Sequence, residues 1–187
     1  MEGIFMTEEQ LVQACISGHA DAYKKFYDLF AKRMMGVCLR YTTNADEAQD
    51  ILQDGFIKVF NKLPDFVNKG SLDGWVRRIM VNTALDQYRK NKKYQKDIEI
   101  DTYSYKLEDQ DFIIESINAT DLLKIIQTIP EGYRVVFNLF AIEGYTHKEI
   151  ADELGVTEST SKSQYSRAKK MLRKLLVQNN IVEESER

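Results

Sequence analysis

The sequence predicts an all-α protein: two small helical domains joined by a flexible acidic linker, with a helix-turn-helix in the C-terminal domain. Three observations lead there. Apolar residues recur at three-and-four spacing, and strand-like alternation is scarce. Only Pro64 and Pro130 interrupt a chain of 187 residues rich in Leu, Lys, Glu, Gln and Ala. Charge is segregated: the formal net charge is -3, yet Asp73 to Lys93 holds six Lys/Arg against two acids, and Thr160 to Lys174 holds six against none. Between them, Asp97 to Glu115 holds seven acids and one lysine. Two basic surfaces flanking an acidic connector are therefore expected, a pattern that the net charge conceals.

Thr7 and Gln10 have capping-box spacing, so a first helix is expected to about Ser17, ended by Gly18. A second helix, from about Ala20 to Thr42, carries Tyr23, Phe26, Tyr27, Phe30, Met34, Val37, Cys38 and Tyr41 on a core-facing stripe. Asn44 caps a third helix in which Ala45, Ala48, Leu52, Phe56, Val59, Phe60 and Leu63 share one side, with Pro64 beyond its end. Phe66 to Gly74 holds two glycines, a serine and an asparagine and is expected to be a surface loop. A fourth helix then begins near Leu72 to Trp75 and runs to about Lys92. Val76, Ile79, Met80, Ala84 and Tyr88 form its inner side.

These readings place a first domain at 1–95, the acidic linker at 96–118, a second domain at 119–178 and a frayed tail at 179–187. In the second domain, breaks are expected at Pro130 and Gly144, a short helix over Thr146 to Leu154, a turn at Gly155, and a long helix from Glu158 to Gln178. Small Ala151 allows a close helix crossing and Gly155 suits a left-handed turn residue, so the pair reads as a helix-turn-helix. Along the long helix, Ser161, Tyr165, Ala168, Leu172 and Leu175 form the packing stripe. Ser159, Lys162, Ser163, Ser166, Arg167 and Lys170, with Thr160, form a basic, hydroxyl-rich face suited to a DNA major groove.

Composition excludes several classes. Hydrophobic residues at 43 % and charged residues at 29 % make a globular balance. No stretch reaches the roughly 20 apolar residues of a membrane span, and MEGIFMTEEQ lacks the regions of a secretory signal, so no membrane insertion and a cytoplasmic location are expected. Cys15 and Cys38 are isolated thiols on apolar faces and read as core. There is no Walker loop, zinc-ligand spacing or nucleophile with a base, so no cofactor and no catalysis are expected; His19 and His147 read as capping or surface residues.

The segment EGYTHKEIADELGVTESTSKSQYSRAKKML is similar to the C-terminal promoter-binding domain of extracytoplasmic-function sigma factors, group IV of the sigma-70 family, and IPEGYRVVFNLFAIEGYT resembles the segment that precedes it there. Upstream, ADEAQDILQDGFIKVFNKLPDF resembles the family segment that binds the polymerase clamp helices, and GSLDGWVRRIMVNTALDQYRKNKK the segment that melts and reads the minus-ten element. Two halves in the right order are far more specific than either alone.

The resemblance implies a non-enzymatic alternative sigma factor whose partners are core RNA polymerase, through its clamp helices and flap, promoter DNA and an anti-sigma factor. The residues suit that work. Trp75, Arg78, Asn82 and Arg89 recur on one side of the fourth helix, followed by Lys90, Lys92 and Lys93, and an aromatic beside cations and an amide can stack, neutralise and pair with a single strand. By resemblance, the loop residues Asn68, Lys69 and Ser71 help to hold an unstacked base. On the third helix, Asp46, Asp50, Gln53, Asp54 and Ile57 would repel phosphate, so that face is expected to meet protein, and the resemblance implies the clamp helices.

Where the family has a buried valine-like residue this chain has Ser161, which is expected to loosen packing, and Gln164 replaces a frequent basic residue. The competing function is a stand-alone helix-turn-helix regulator, which would bind duplex without polymerase. A pure interaction protein would explain the acidic helix but not two basic surfaces.

Overall fold

The computed structural model describes residues 6–67, 70–94 and 119–179, apart from the side chains of residues 93, 94 and 119. Among the described residues there are helices and turns and no strand. The acidic linker, the tail beyond Asn179, and the loop residues Asn68 and Lys69 lie outside them. Contacts divide the chain into two compact units.

The first unit, which takes the chain up to Leu39 and then Asn44–Asn91, holds α1 (Glu8–Ile16), α2 (Ala20–Tyr41) as far as Leu39, α3 (Ala45–Lys62) with a 3₁₀ turn at Leu63–Asp65, and α4 (Leu72–Tyr94) as far as Asn91. Its boundaries follow local chemistry. The Thr7 hydroxyl accepts from the Gln10 N–H at 3.2 Å while the Gln10 side chain accepts from the Thr7 N–H at 2.9 Å, a complete capping box. Asn44 Oδ1 accepts from the Glu47 N–H at 2.8 Å and opens α3.

The core of this unit is aromatic. Phe26 and Phe30 of α2 are fully buried with ring centroids 4.7 Å apart, and Tyr27 meets Phe56 of α3 at the same 4.7 Å. Such tilted pairs avoid the face-to-face repulsion of the ring quadrupoles while burying large apolar surfaces. The α4 core face is Leu72, Val76, Met80, Val81, Ala84 and Leu85. Ile79 and Tyr88, expected on it, are only half-buried, and Ala45, expected on the inner side of α3, is exposed at the first position of that helix. Cys15 and Cys38 are buried free thiols, as their apolar faces predicted.

Gly55 of α3 leaves room for the Met80 side chain of α4. A Cβ there would run into Sδ and Cε of Met80, which is itself fully buried. Gly55→Leu is therefore expected to lower stability by about 1–3 kcal/mol through overpacking. In thermal melts, Met80→Ala in the same chain should recover part of the loss; equal melting of Gly55→Leu and the parent chain would refute the tight fit of Met80 against Gly55.

The second unit holds α5 (Ala119–Thr128), α6 (Glu131–Phe137) continuing into a π turn at Asn138–Ile142, α7 (His147–Leu154) and α8 (Glu158–Gln178). The break at Pro130 falls between α5 and α6, as expected. The π turn was not foreseen: the Glu143 N–H donates to the Asn138 carbonyl at 3.0 Å, five residues back. Ile125, Ile129, Ala168, Leu172 and Leu176 form a buried cluster against which Leu122, Tyr133, Phe137 and Leu175 pack. The innermost leucine of the last turns is thus Leu176, with Leu175 at the margin.

Candidate nucleic-acid interface

Within the second unit, α7 and α8 form the expected helix-turn-helix. Thr146 caps α7 in a box with Glu149: the Glu149 N–H donates to the Thr146 hydroxyl at 3.2 Å, and the Thr146 N–H donates to the Glu149 carboxylate at 2.8 Å. Gly155 ends the helix at φ 64°, a left-handed conformation that costs a residue with a Cβ roughly 1 kcal/mol or more. Thr157 then caps α8, its hydroxyl accepting from the Thr160 N–H at 3.1 Å. Ile150 is fully buried and Ala151 and Leu154 are nearly so, which fixes α7 against α8.

The candidate groove-reading residues are not equivalent. Ser159, Lys162, Ser163 and Lys170 are exposed, whereas Thr160, Ser166 and Arg167 are half-buried. Lys162 Nζ lies 2.7 Å from Glu158 Oε1, one turn back, and this lysine holds the Glu158 carboxyl below the usual carboxylate range. The Ser163 hydroxyl donates to the Thr160 carbonyl at 2.9 Å. Arg167 turns toward α6, donating to the Tyr133 hydroxyl at 3.1 Å with its guanidinium 5.8 Å from that ring.

Ser161 is completely buried, and its Oγ shares a 3.0 Å hydrogen bond with His147 Nδ1. The imidazole stacks on Phe140 at 4.2 Å and 12°, and Tyr165 stands 5.8 Å away. His147 is thus a packed residue joining both helices of the motif. Burial first, and then the Lys162 charge, push its pKa below the ordinary histidine value, while Glu158 acts in the opposite direction.

In the first unit, the Ser71 hydroxyl accepts from the Gly74 N–H at 3.1 Å at the start of α4. Trp75 is half-buried, its ring 5.3 Å from Phe66 in the preceding segment. Arg78, Asn82 and Lys90 are exposed along α4. Arg89 Nη2 meets Asp86 Oδ1 at 2.7 Å, and Asp86 Oδ2 also binds Lys58 Nζ of α3 at 2.8 Å. Partial burial raises the Asp86 pKa, but the two hydrogen-bonded cations outweigh it and hold the carboxyl below its usual range. The apolar spacing of α4 does not mark Asp86; an acid three residues before Arg89 is the signal that could have found it.

The acidic face of α3 is laid out as expected: Asp46, Asp50, Gln53 and Asp54 are exposed, and Ile57 is 59 % exposed despite being apolar. Glu47, Asp50 and Asp54 also border a shallow crevice against Asp86, Gln87 and Lys90 of α4. No described helix is long and apolar enough to cross a membrane.

Residues 9–94 match the family model of sigma-70 region 2, and residues 119–172 that of sigma-70 region 4. The chain is 30 % identical over 127 residues to the RNA polymerase sigma factor SigZ of Bacillus subtilis, covering 68 % of this chain and 71 % of that protein. It is 28 % identical over 170 residues to the ECF RNA polymerase sigma factor SigW of the same organism, covering 85 % and 91 %. Among solved structures, the sigma factor RpoE in complex with the anti-sigma factor NepR from Bartonella quintana is similar with a TM-score of 0.49 and 23 % identity, covering 82 % of this chain and 96 % of that one.

Proposed function

Since this chain belongs to the sigma-70 family of RNA polymerase sigma factors, of the extracytoplasmic-function type, and directs transcription initiation as an alternative sigma factor, we propose how its described surfaces divide that work. The acidic face of α3, with Asp46, Asp50, Gln53, Asp54 and Ile57, docks on the clamp helices of core polymerase. Along α4, Trp75, Arg78, Asn82, Arg89 and Lys90, helped by Asn68, Lys69, Ser71 and Lys93, hold the melted minus-ten strand. The exposed side of α8, from Ser159 to Lys170, enters the minus-thirty-five major groove. This work takes place in the cytoplasm, and an anti-sigma factor would act by covering these faces.

The observation that carries this reading is that two separate helices, α4 and α8, are each buried along one side and lined along the other with polar and cationic side chains. Cations neutralise phosphate, and amides and hydroxyls reach base edges. Each surface alone is small, so each binds weakly. Fixing both on one polymerase makes the second contact effectively intramolecular and multiplies their discrimination.

Run-off transcription with purified core polymerase tests it. A start site that appears only when this chain is added, together with weak promoter binding by the chain alone, is the expected result. Tight duplex binding by the free chain, with no transcript once core enzyme is present, would overturn it.

A further inference from the structure

We propose that His147 is a positioning residue for minus-thirty-five recognition, holding the reading turns of α8 in register through its hydrogen bond to Ser161. The inference rests on the reading of α8 as the groove-entering helix. Ser161 sits among Ser159, Thr160, Lys162 and Ser163, the candidate reading residues, yet it points the opposite way and is completely buried. An apolar residue at that place would hold the helix by non-directional packing. A hydroxyl has a preferred direction, and its partner 3.0 Å away is the first residue of α7.

The imidazole is itself held. Phe140 stacks on it at 4.2 Å, so the ring plane is set by the turn that precedes α7. Lys162 and Glu158 act on it from α8, with opposite signs, and Phe140 brings no charge. Burial favours the neutral ring, which keeps one nitrogen as donor and the other as acceptor near pH 7. The chain of fixed parts therefore runs from Phe140 to the His147 ring to the Ser161 hydroxyl. It ends on the backbone turn that carries Ser159, Thr160, Lys162 and Ser163.

Three variants separate positioning from simple packing. His147→Phe keeps an aromatic ring against Phe140 but removes the bond; Ser161→Ala removes the partner; His147→Asn keeps a polar group near the place of Nδ1 without the ring. Each full-length variant is assembled with core polymerase. Initiation is then measured on a promoter selected by the parent holoenzyme and on the same promoter with its upstream element scrambled. His147→Phe and Ser161→Ala are each expected to reduce discrimination between the two templates about fivefold, the worth of one hydrogen bond. The double variant should fall no further, and His147→Asn should stay within about twofold of the parent.

Circular dichroism melts identify a variant that fails to fold, in which case the remaining single variant decides. Losses that add in the double variant, or a His147→Asn enzyme as poor as His147→Phe, would overturn the positioning role. A parent enzyme indifferent to the upstream element would overturn both this inference and the reading of α8 beneath it. Full parental discrimination with undiminished variants would overturn the inference alone.

Discussion

Asp50→Lys combined with Asp54→Lys is expected to weaken binding to core polymerase by roughly thirty- to a thousandfold, the equivalent of about 2–4 kcal/mol for like charges brought together across an interface. Both carboxylates are exposed and stand one helical turn apart on α3, on the side where Gln53 and the 59 %-exposed Ile57 also emerge. Lysine is a better helix former than aspartate, so the helix itself should tolerate the exchange. The buried side, from Ala48 to Val59, is untouched. Titration of core enzyme with fluorescently labelled chain gives the affinity, and a melting curve shows whether the fold is intact. A doubly reversed chain that binds core enzyme as tightly as the parent would remove α3 from the interface.

The contrast between what the sequence discloses and what it hides is physical. Helix ends were legible because caps are local: Thr7, Asn44 and Thr146 each satisfy backbone donors within three residues of themselves. The buried stripe of α2 was legible because the helical repeat places Phe26, Phe30, Met34 and Val37 on one side whatever they pack against. The π turn at Asn138–Ile142 was hidden, since five residues are too short a stretch for its wider spacing to stand out from the helical repeat.

The candidate surfaces divide in the same way. Exposure of Arg78, Asn82 and Lys162 follows from position on a helix face. The partners of a long side chain do not. Arg167 reaches Tyr133, 34 positions earlier in the chain, and Ser161 meets His147, 14 positions earlier. Ser161 looked like a weakness because its hydroxyl was read without its acceptor or donor. Its cost in the core depends entirely on whether such a partner exists.

Leu172→Ala is expected to abolish upstream-element recognition while leaving attachment to core polymerase in place. Leu172 is 1 % exposed, at the centre of the cluster formed with Ile125, Ile129, Ala168 and Leu176. Truncating a leucine so enclosed costs about 2–5 kcal/mol, the transfer term plus the cavity left behind. A unit of this size has a single small core worth only about 3–5 kcal/mol in total, so the loss is comparable to everything that holds α5 to α8 together. The other unit has its own aromatic core around Phe26, Phe30 and Phe56. Hydrogen exchange on the variant should therefore show collapsed protection across α5–α8 and parental protection across α1–α4. In parallel, the variant should still form a complex with core enzyme but initiate equally on intact and upstream-scrambled templates. Parental protection in α8, or retained discrimination, would mean that the Leu172 cluster contributes far less than its burial implies.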